Sequence, residues 1–347
     1  MDTSTPAKCF YPWTAQEQRL IAIIPKIASL FSIIGSAYIV CVVIRGRKFN
    51  SAYNRIMLGM SIGDIIASFG HFLPTWPIPS HAPDSEHPAN VVVGQLENCY
   101  YGNIGNVATC ELQGFLIQTG SMVVPIFNAI LSMYFLLTVR YNWRERKFRQ
   151  IGPFVLIIVL YPLVTSIICL KWGLFNPLLD RCWIASYPLA CLEDDKVECI
   201  RGKRAESLKK IFFILPVAAS FVAISLSMAL LCVHVFRIES RVQSYQVSSR
   251  FRERSKKVFV RACLYVSSYL FVWAPAVLYQ LFLRSRKGLI TTIFVSSALS
   301  IQGIFNALIF AKCDCFSCFR RVLKSCKRRL SCTFSDDVRE ELSDESV

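Results

Sequence analysis

Apolar residues are grouped along the chain into seven long stretches, at residues 20–44, 56–78, 112–139, 151–170, 211–236, 258–283 and 289–311, with no eighth of that length. A helix that crosses the hydrocarbon core needs about 20 consecutive, predominantly apolar residues. The pattern therefore predicts an all-α membrane protein, a seven-transmembrane helix bundle. Residues 1–19 are polar and lack the apolar run and cleavage site of a signal peptide. The first span is accordingly expected to act as its own insertion signal.

The polar segments between these stretches set an orientation. Four basic residues follow the first span (Arg45, Arg47, Lys48, Arg55), five follow the third (Arg140, Arg144, Arg146, Lys147, Arg149), seven follow the fifth and eight follow the seventh. Residues 79–111 hold none, and residues 171–208 hold six. The positive-inside rule puts the four basic segments in the cytoplasm, outvoting the six, with the N-terminus outside and the C-terminus inside. The expected organisation is a short extracellular N-terminus at 1–19, a helix bundle at 20–311, a basic juxtamembrane amphipathic helix at 312–330 and a disordered acidic tail at 331–347. The expected location is the plasma membrane.

Composition narrows the class. The 347 residues are 54% hydrophobic and 18% charged, with mean hydropathy +0.43. Soluble domains carry about 25% charged residues, so a soluble globular enzyme is excluded. The net charge of +16 admits nucleic acid as a partner until its location is read. The four basic segments hold 24 of the 39 Lys and Arg and ten acids, so nearly all of the excess faces one side. That makes it a topology signal and a surface for anionic lipid, and nucleic acid drops out.

Little catalytic chemistry is visible within the spans. Asp64 is the only carboxylate well inside one. Aspartyl proteolysis needs two carboxylates sharing a proton, so Asp64 is expected instead in an interior polar network, bonded to Asn128, Asn306 or Ser and Thr groups. His71 and His234 have no metal-ligand spacing, and neither metal nor cofactor is expected. A retinal Schiff base needs a lysine in the middle of the last span, and residues 289–311 contain none. Lys26 in the first span is expected to snorkel outward. Pro74, Pro77, Pro125, Pro162, Pro216 and Pro275 are expected to interrupt their helices, and Trp273 beside Pro275 marks a candidate hinge.

The 15 cysteines divide by compartment. Cys9, Cys99, Cys110, Cys182, Cys191 and Cys199 fall on the oxidising side, where up to three disulfides are allowed in fifteen possible connectivities. Cys110 begins the third span and Cys182 lies in the long loop after the fourth, and a bridge between them, which would pin that loop over the mouth of the bundle, is expected. The pairing of the other four stays open. Cys313, Cys315 and Cys318 sit beside Phe316, Phe319 and Leu323, which fall at helical spacing, with Arg320, Arg321, Lys324 and Lys327 over much of the remaining surface. Such a segment lies in the headgroup plane against anionic lipid, and its cysteines are acylation candidates.

Seven helices with this orientation fit G-protein-coupled receptors, rhodopsins and some transporters. More specific are Cys110-Glu111-Leu112-Gln113-Gly114-Phe115-Leu116-Ile117-Gln118, then Asn128, Tyr134 and Arg140-Tyr141-Asn142-Trp143-Arg144-Glu145, together with Cys182-Trp183-Ile184 and Ile301-Gln302-Gly303-Ile304-Phe305-Asn306-Ala307. These runs resemble the cyclic-AMP-receptor-like and secretin-like G-protein-coupled receptors, especially their protist relatives, with Ile304 where the family has Phe. The resemblance implies a non-enzymatic receptor that couples an extracellular ligand to a heterotrimeric G protein, with Arg140 and Tyr141 at the cytoplasmic contact. It departs from the receptor pattern in having Thr138-Val139-Arg140-Tyr141 in place of Asp-Arg-Tyr. Cyclic AMP is not assumed as the ligand, because residues 79–111 offer no Lys or Arg to a phosphate, although Lys171 and Arg181 lie in the next outer loop. The other readings are a transporter or channel, and a receptor fold that does not signal.

Overall fold

The computed structural model describes residues 13–80, 100–178, 180–188, 191, 198–242, 249–282 and 288–311. Its long helices are α1 (Ala15–Arg45), α2 (Ala52–Phe72), α3 (Val107–Arg140), α5 (Gly152–Lys171), α7 (Leu215–Val242), α8 (Ser249–Phe282) and the bent pair α9 (Leu289–Ser300) and α10 (Gln302–Ala311). The short helices α4 (Glu145–Gln150) and α6 (Ala205–Lys209) precede α5 and α7. Among the described residues four helices are long and apolar enough to cross a membrane, or five if α9 and α10 form one span bent by 42°. Large apolar side chains face outward along them, among them Ile157, Val222, Leu226 and Leu308. A surface of that kind suits lipid, and the chain is a multi-pass membrane protein.

Local sequence sets the helix starts. Thr14 and Glu17 form a capping box at α1, with Thr14 N–H donating to Glu17 Oε2 at 2.8 Å. Asn106 and Thr109 do the same at α3, through Thr109 N–H to Asn106 Oδ1 at 2.9 Å. Both devices satisfy N–H groups that have no partner inside the helix. At α2 the N-cap Ser51 makes no side-chain cap bond, and the first N–H, of Ala52, donates instead to Glu145 Oε2 at 2.8 Å. A residue 93 positions away therefore holds that end.

Prolines behave differently from one another. Contrary to the expectation from sequence, Pro74 and Pro77 do not interrupt α2; they follow its end at Phe72. The residue before a proline is driven out of the α region, and Leu73 stands at φ −105°, ψ 64°. Pro125, Pro162 and Pro275 lie inside helices. Pro216 is preceded by a π-helical turn, Lys210–Ile214. It has no N–H to offer the carbonyl of Phe212 one turn earlier. The wider turn follows, with Leu215 N–H reaching back to Lys210 O.

Between α5 and α6 the chain forms a hairpin of β1 (Phe175–Pro177) and β2 (Cys182–Ile184), paired antiparallel and buried throughout. A first core joins the hairpin to α3, α7 and α8 through Phe175, Trp183, Phe213, Tyr269 and Trp273. A second, toward the other end, joins α1, α2, α3, α8 and α10 through Tyr53, Met57, Phe135, Tyr265 and Phe310. There Tyr53 and Tyr265 share a buried hydroxyl–hydroxyl hydrogen bond of 2.8 Å between α2 and α8. Close backbone approaches need glycine at two crossings. A Cβ on Gly120 of α3 would stand 2.3 Å from Ala67 N of α2, and one on Gly303 of α10 would stand 2.2 Å from Ser36 Oγ of α1.

Candidate ligand-binding site

The hairpin is held over one end of the helices. Cys110 at the start of α3 is disulfide-bonded to Cys182 in β2. Gln113, one helical turn on, binds the same strand, accepting from Cys182 N–H at 2.8 Å. Its amide donates to Gly70 O at 3.0 Å and Pro74 O at 2.9 Å, tying the end of α2 to the same point. Gly114 leaves room for Phe175, whose ring atoms would stand 2.6 Å from a Cβ. Gln118 accepts from Trp183 Nε1–H at 2.9 Å. Phe115 packs against the same core. These motif residues of α3 thus anchor the hairpin. A second disulfide joins Cys191 to Cys199, a pairing the sequence left open.

Beneath the hairpin lies a cavity with about 770 Å³ of space free of protein atoms, part of it open to solvent. Its wall is mostly apolar, with Ile117 of α3, Leu178 and Trp183 of the hairpin region, Phe213 of the π-helical turn, Val217 of α7 and Trp273 of α8. The widened turn before Pro216 thus contributes directly to the lining.

One polar cluster borders this space. Arg181 Nε donates to Asp180 Oδ1 at 2.9 Å and a second guanidinium nitrogen pairs with Asp180 Oδ2. The guanidinium also contacts Ser296 Oγ of α9 and His71 Nδ1 of α2, and Ser296 Oγ donates to Asp180 Oδ2 at 2.8 Å. Asp180 and Arg181 are 4% and 8% exposed. A buried ion pair is tolerable only when hydrogen bonds satisfy the remaining polar groups, and here Ser296 and His71 supply them. Outside the helices, Tyr100 donates its hydroxyl to Leu178 O at 2.9 Å. Burial, reinforced by Tyr187 and Asp180, pushes that phenol above its ordinary range.

The interior polar network expected around Asp64 is smaller than the sequence allowed. Asn306 Nδ2–H donates to Asp64 Oδ2 at 2.9 Å, and Gln302 reaches Asn306 Oδ1 at 3.3 Å. Asn128 is buried, but its amide turns back to Val124 O of its own helix at 3.0 Å rather than to Asp64. Gly303 N–H donates to Ser32 Oγ at 2.9 Å, joining α10 to α1. Arg140 and Tyr141 are exposed at the far end of α3, with the guanidinium 5.3 Å from the Tyr141 ring centre. Trp273 is buried against Tyr269 and Phe213, and Pro275 lies inside α8. The Lys26 ammonium lies 3.5 Å from the centre of the exposed Trp76 ring, beyond the end of α2. Cys313, Cys315 and Cys318 lie outside the described residues, as do Cys9 and Cys99. Among the described residues no group of three or more His, Cys, Asp or Glu side chains is placed to hold a metal.

Sequence reading did not bring together His71, Asp180, Arg181 and Ser296, which span 225 positions of the chain. The available signal was the adjacent Asp180-Arg181 pair immediately before Cys182-Trp183 in an otherwise apolar stretch.

No family model matches the chain, and no curated protein matches it. Among solved structures it is similar to the crystal structure of squid rhodopsin, at 14% identity and TM-score 0.61, over 87% of this chain and 79% of that one. The chain thus has a helix-bundle fold similar to that of squid rhodopsin. At this identity the likeness is one of fold.

Proposed function

We propose that this protein is a G-protein-coupled receptor of the cyclic-AMP-receptor-like and secretin-like type. It crosses the plasma membrane seven times, with the N-terminus outside, and passes a ligand signal to a heterotrimeric G protein. The observation that carries the reading is the cavity beneath the disulfide-tethered hairpin, bordered by a buried polar cluster. At about 1.5 Å per residue, α3 runs about 35 Å from Ile117 in the cavity wall to Arg140 at the basic end. One rigid element therefore joins a candidate ligand site to a candidate G-protein surface. A ligand with greater affinity for one conformation shifts the bundle toward it, and the change is read at the other end.

In the same reading the basic loops meet anionic lipid and the G protein. Cys313, Cys315 and Cys318 are the acylation candidates, and the segments 312–330 and 331–347 lie outside the described residues. The receptor performs no catalysis. The test is guanine-nucleotide exchange on a panel of heterotrimers, with the purified protein in nanodiscs containing anionic lipid. Accelerated exchange that is lost in Arg140→Ala supports the proposal. No acceleration across the panel makes this a receptor fold that does not signal, and solute flux in liposomes without G protein makes it a transporter.

A further inference from the structure

The cavity's chemistry restricts what it can hold. Its two ions are already matched to each other: Asp180 faces Arg181 and Ser296, and Arg181 also faces His71. A cationic amine would need a carboxylate released from that pair, and a phosphate or carboxylate would need the guanidinium. Either would strand the other ion of a buried pair, which is strongly unfavourable.

Two other polar atoms, on residues that line the same cavity, are unmatched. His71 Nε2 and Trp273 Nε1 are buried without a hydrogen-bond partner among the described residues, and both residues line the cavity at 3% exposure. Their chemistry is fixed. A guanidinium can only donate, so His71 Nδ1 accepts from Arg181 and the ring proton sits on Nε2. Indole Nε1–H is a donor only. The residues that line the cavity therefore include two whose buried N–H donors lack a partner, and no unpaired ion, beside Ile117, Leu178, Phe213 and Val217.

We propose that this cavity takes an uncharged, predominantly apolar small molecule whose carbonyl or ether oxygens accept hydrogen bonds from His71 Nε2–H and Trp273 Nε1–H. The inference rests on reading the cavity as the receptor's ligand site, and it names the ligand's class. The apolar body fills the space between α3, α7 and α8. The oxygen acceptors convert two costly buried donors into hydrogen bonds.

The test uses the full-length protein in nanodiscs without G protein, with binding read by saturation-transfer NMR. The probes share one terpenoid skeleton: carvone carries a carbonyl, limonene lacks it, and carvylamine carries a cationic amine. Carvone is expected to bind about tenfold more tightly than limonene, the equivalent of one good hydrogen bond, and carvylamine least tightly. Trp273→Phe and His71→Phe are expected to bring carvone toward the limonene level while leaving limonene unchanged. The comparison in the unsubstituted protein stands even if a variant does not fold.

Equal affinity for carvone and limonene, tightest binding of carvylamine, or no binding of any probe overturns the inference. Nucleotide exchange is measured separately. Carvone selectivity without exchange leaves this inference standing and refutes the signalling reading. Exchange without carbonyl selectivity does the reverse.

Discussion

Arg181→Met removes the guanidinium that joins the hairpin to α2 through His71 and to α9 through Ser296. The methionine is unbranched and fills much of the same space, so the change acts mainly on charge and hydrogen bonding. Among the described residues, Asp180 would keep only the Ser296 hydroxyl as a hydrogen-bond partner at 4% exposure. Removing one member of a buried ion pair costs about 3–5 kcal/mol, because the other charge is left uncompensated. With unfolding entropy of about 2.1 cal/mol/K per residue, 347 residues give about 1.4 °C of Tm per kcal/mol, and the expected fall is about 4–7 °C. The assay is thermal unfolding of the purified protein in detergent, comparing Arg181→Met, Asp180→Leu and the double variant. Replacing both ions by apolar groups leaves no stranded charge, so the double variant should lose much less than the sum of the singles. A fall of less than about 2 °C for Arg181→Met, or additive losses, would show that the pair is not buried and coupled as described.

Three further outcomes follow from other parts of the fold. Opening the Cys110–Cys182 bridge by Cys→Ser at both positions releases a 72-residue separation, for which loop-closure entropy gives about 4 kcal/mol, and a matching loss of stability should appear in non-reducing thermal unfolding. Gly120→Ala should cost about 1–3 kcal/mol because its Cβ meets the backbone of Ala67, whereas Gly152→Ala, with nothing within 4 Å, should stay within about 0.5 kcal/mol; similar Tm values for the two would refute the close α2–α3 crossing. Tyr100 is held protonated above its unfolded range, so the folded state binds more protons once pH passes about 10 and stability falls as pH rises further. Tyr100→Phe should flatten that alkaline loss relative to the unsubstituted protein, and unchanged slopes in Tm against pH would contradict the buried phenol.

Element type was largely legible because it is local. The apolar stretches, the Thr14 and Asn106 caps and the basic flanks are all readable over a few consecutive residues, and the described helices cover most of those stretches. Helix ends were less legible. Pro74 ended α2 where the apolar count ran on to residue 78, and the start of α2 depends on Glu145 from beyond α3. Pro216 was readable as a disturbance, but its outcome as a π-helical turn that lines the cavity depends on what packs around it.

The site divides in the same way. Gln113, Gly114 and Gln118 were visible as a motif, yet their task of holding Cys182, Phe175 and Trp183 appears only once the hairpin folds over α3. Asn128 and Asn306 were equivalent as candidate partners of Asp64, and side-chain direction chose Asn306. By itself the sequence determined a polytopic, mainly helical chain with its positive charge gathered in a few segments, because lipid imposes length and composition on each span independently. Only the tertiary structure decided that His71, Asp180, Arg181 and Ser296 share one cluster beside a cavity, because contacts between residues 110 and 115 positions apart depend on how the hairpin settles against α2 and α9.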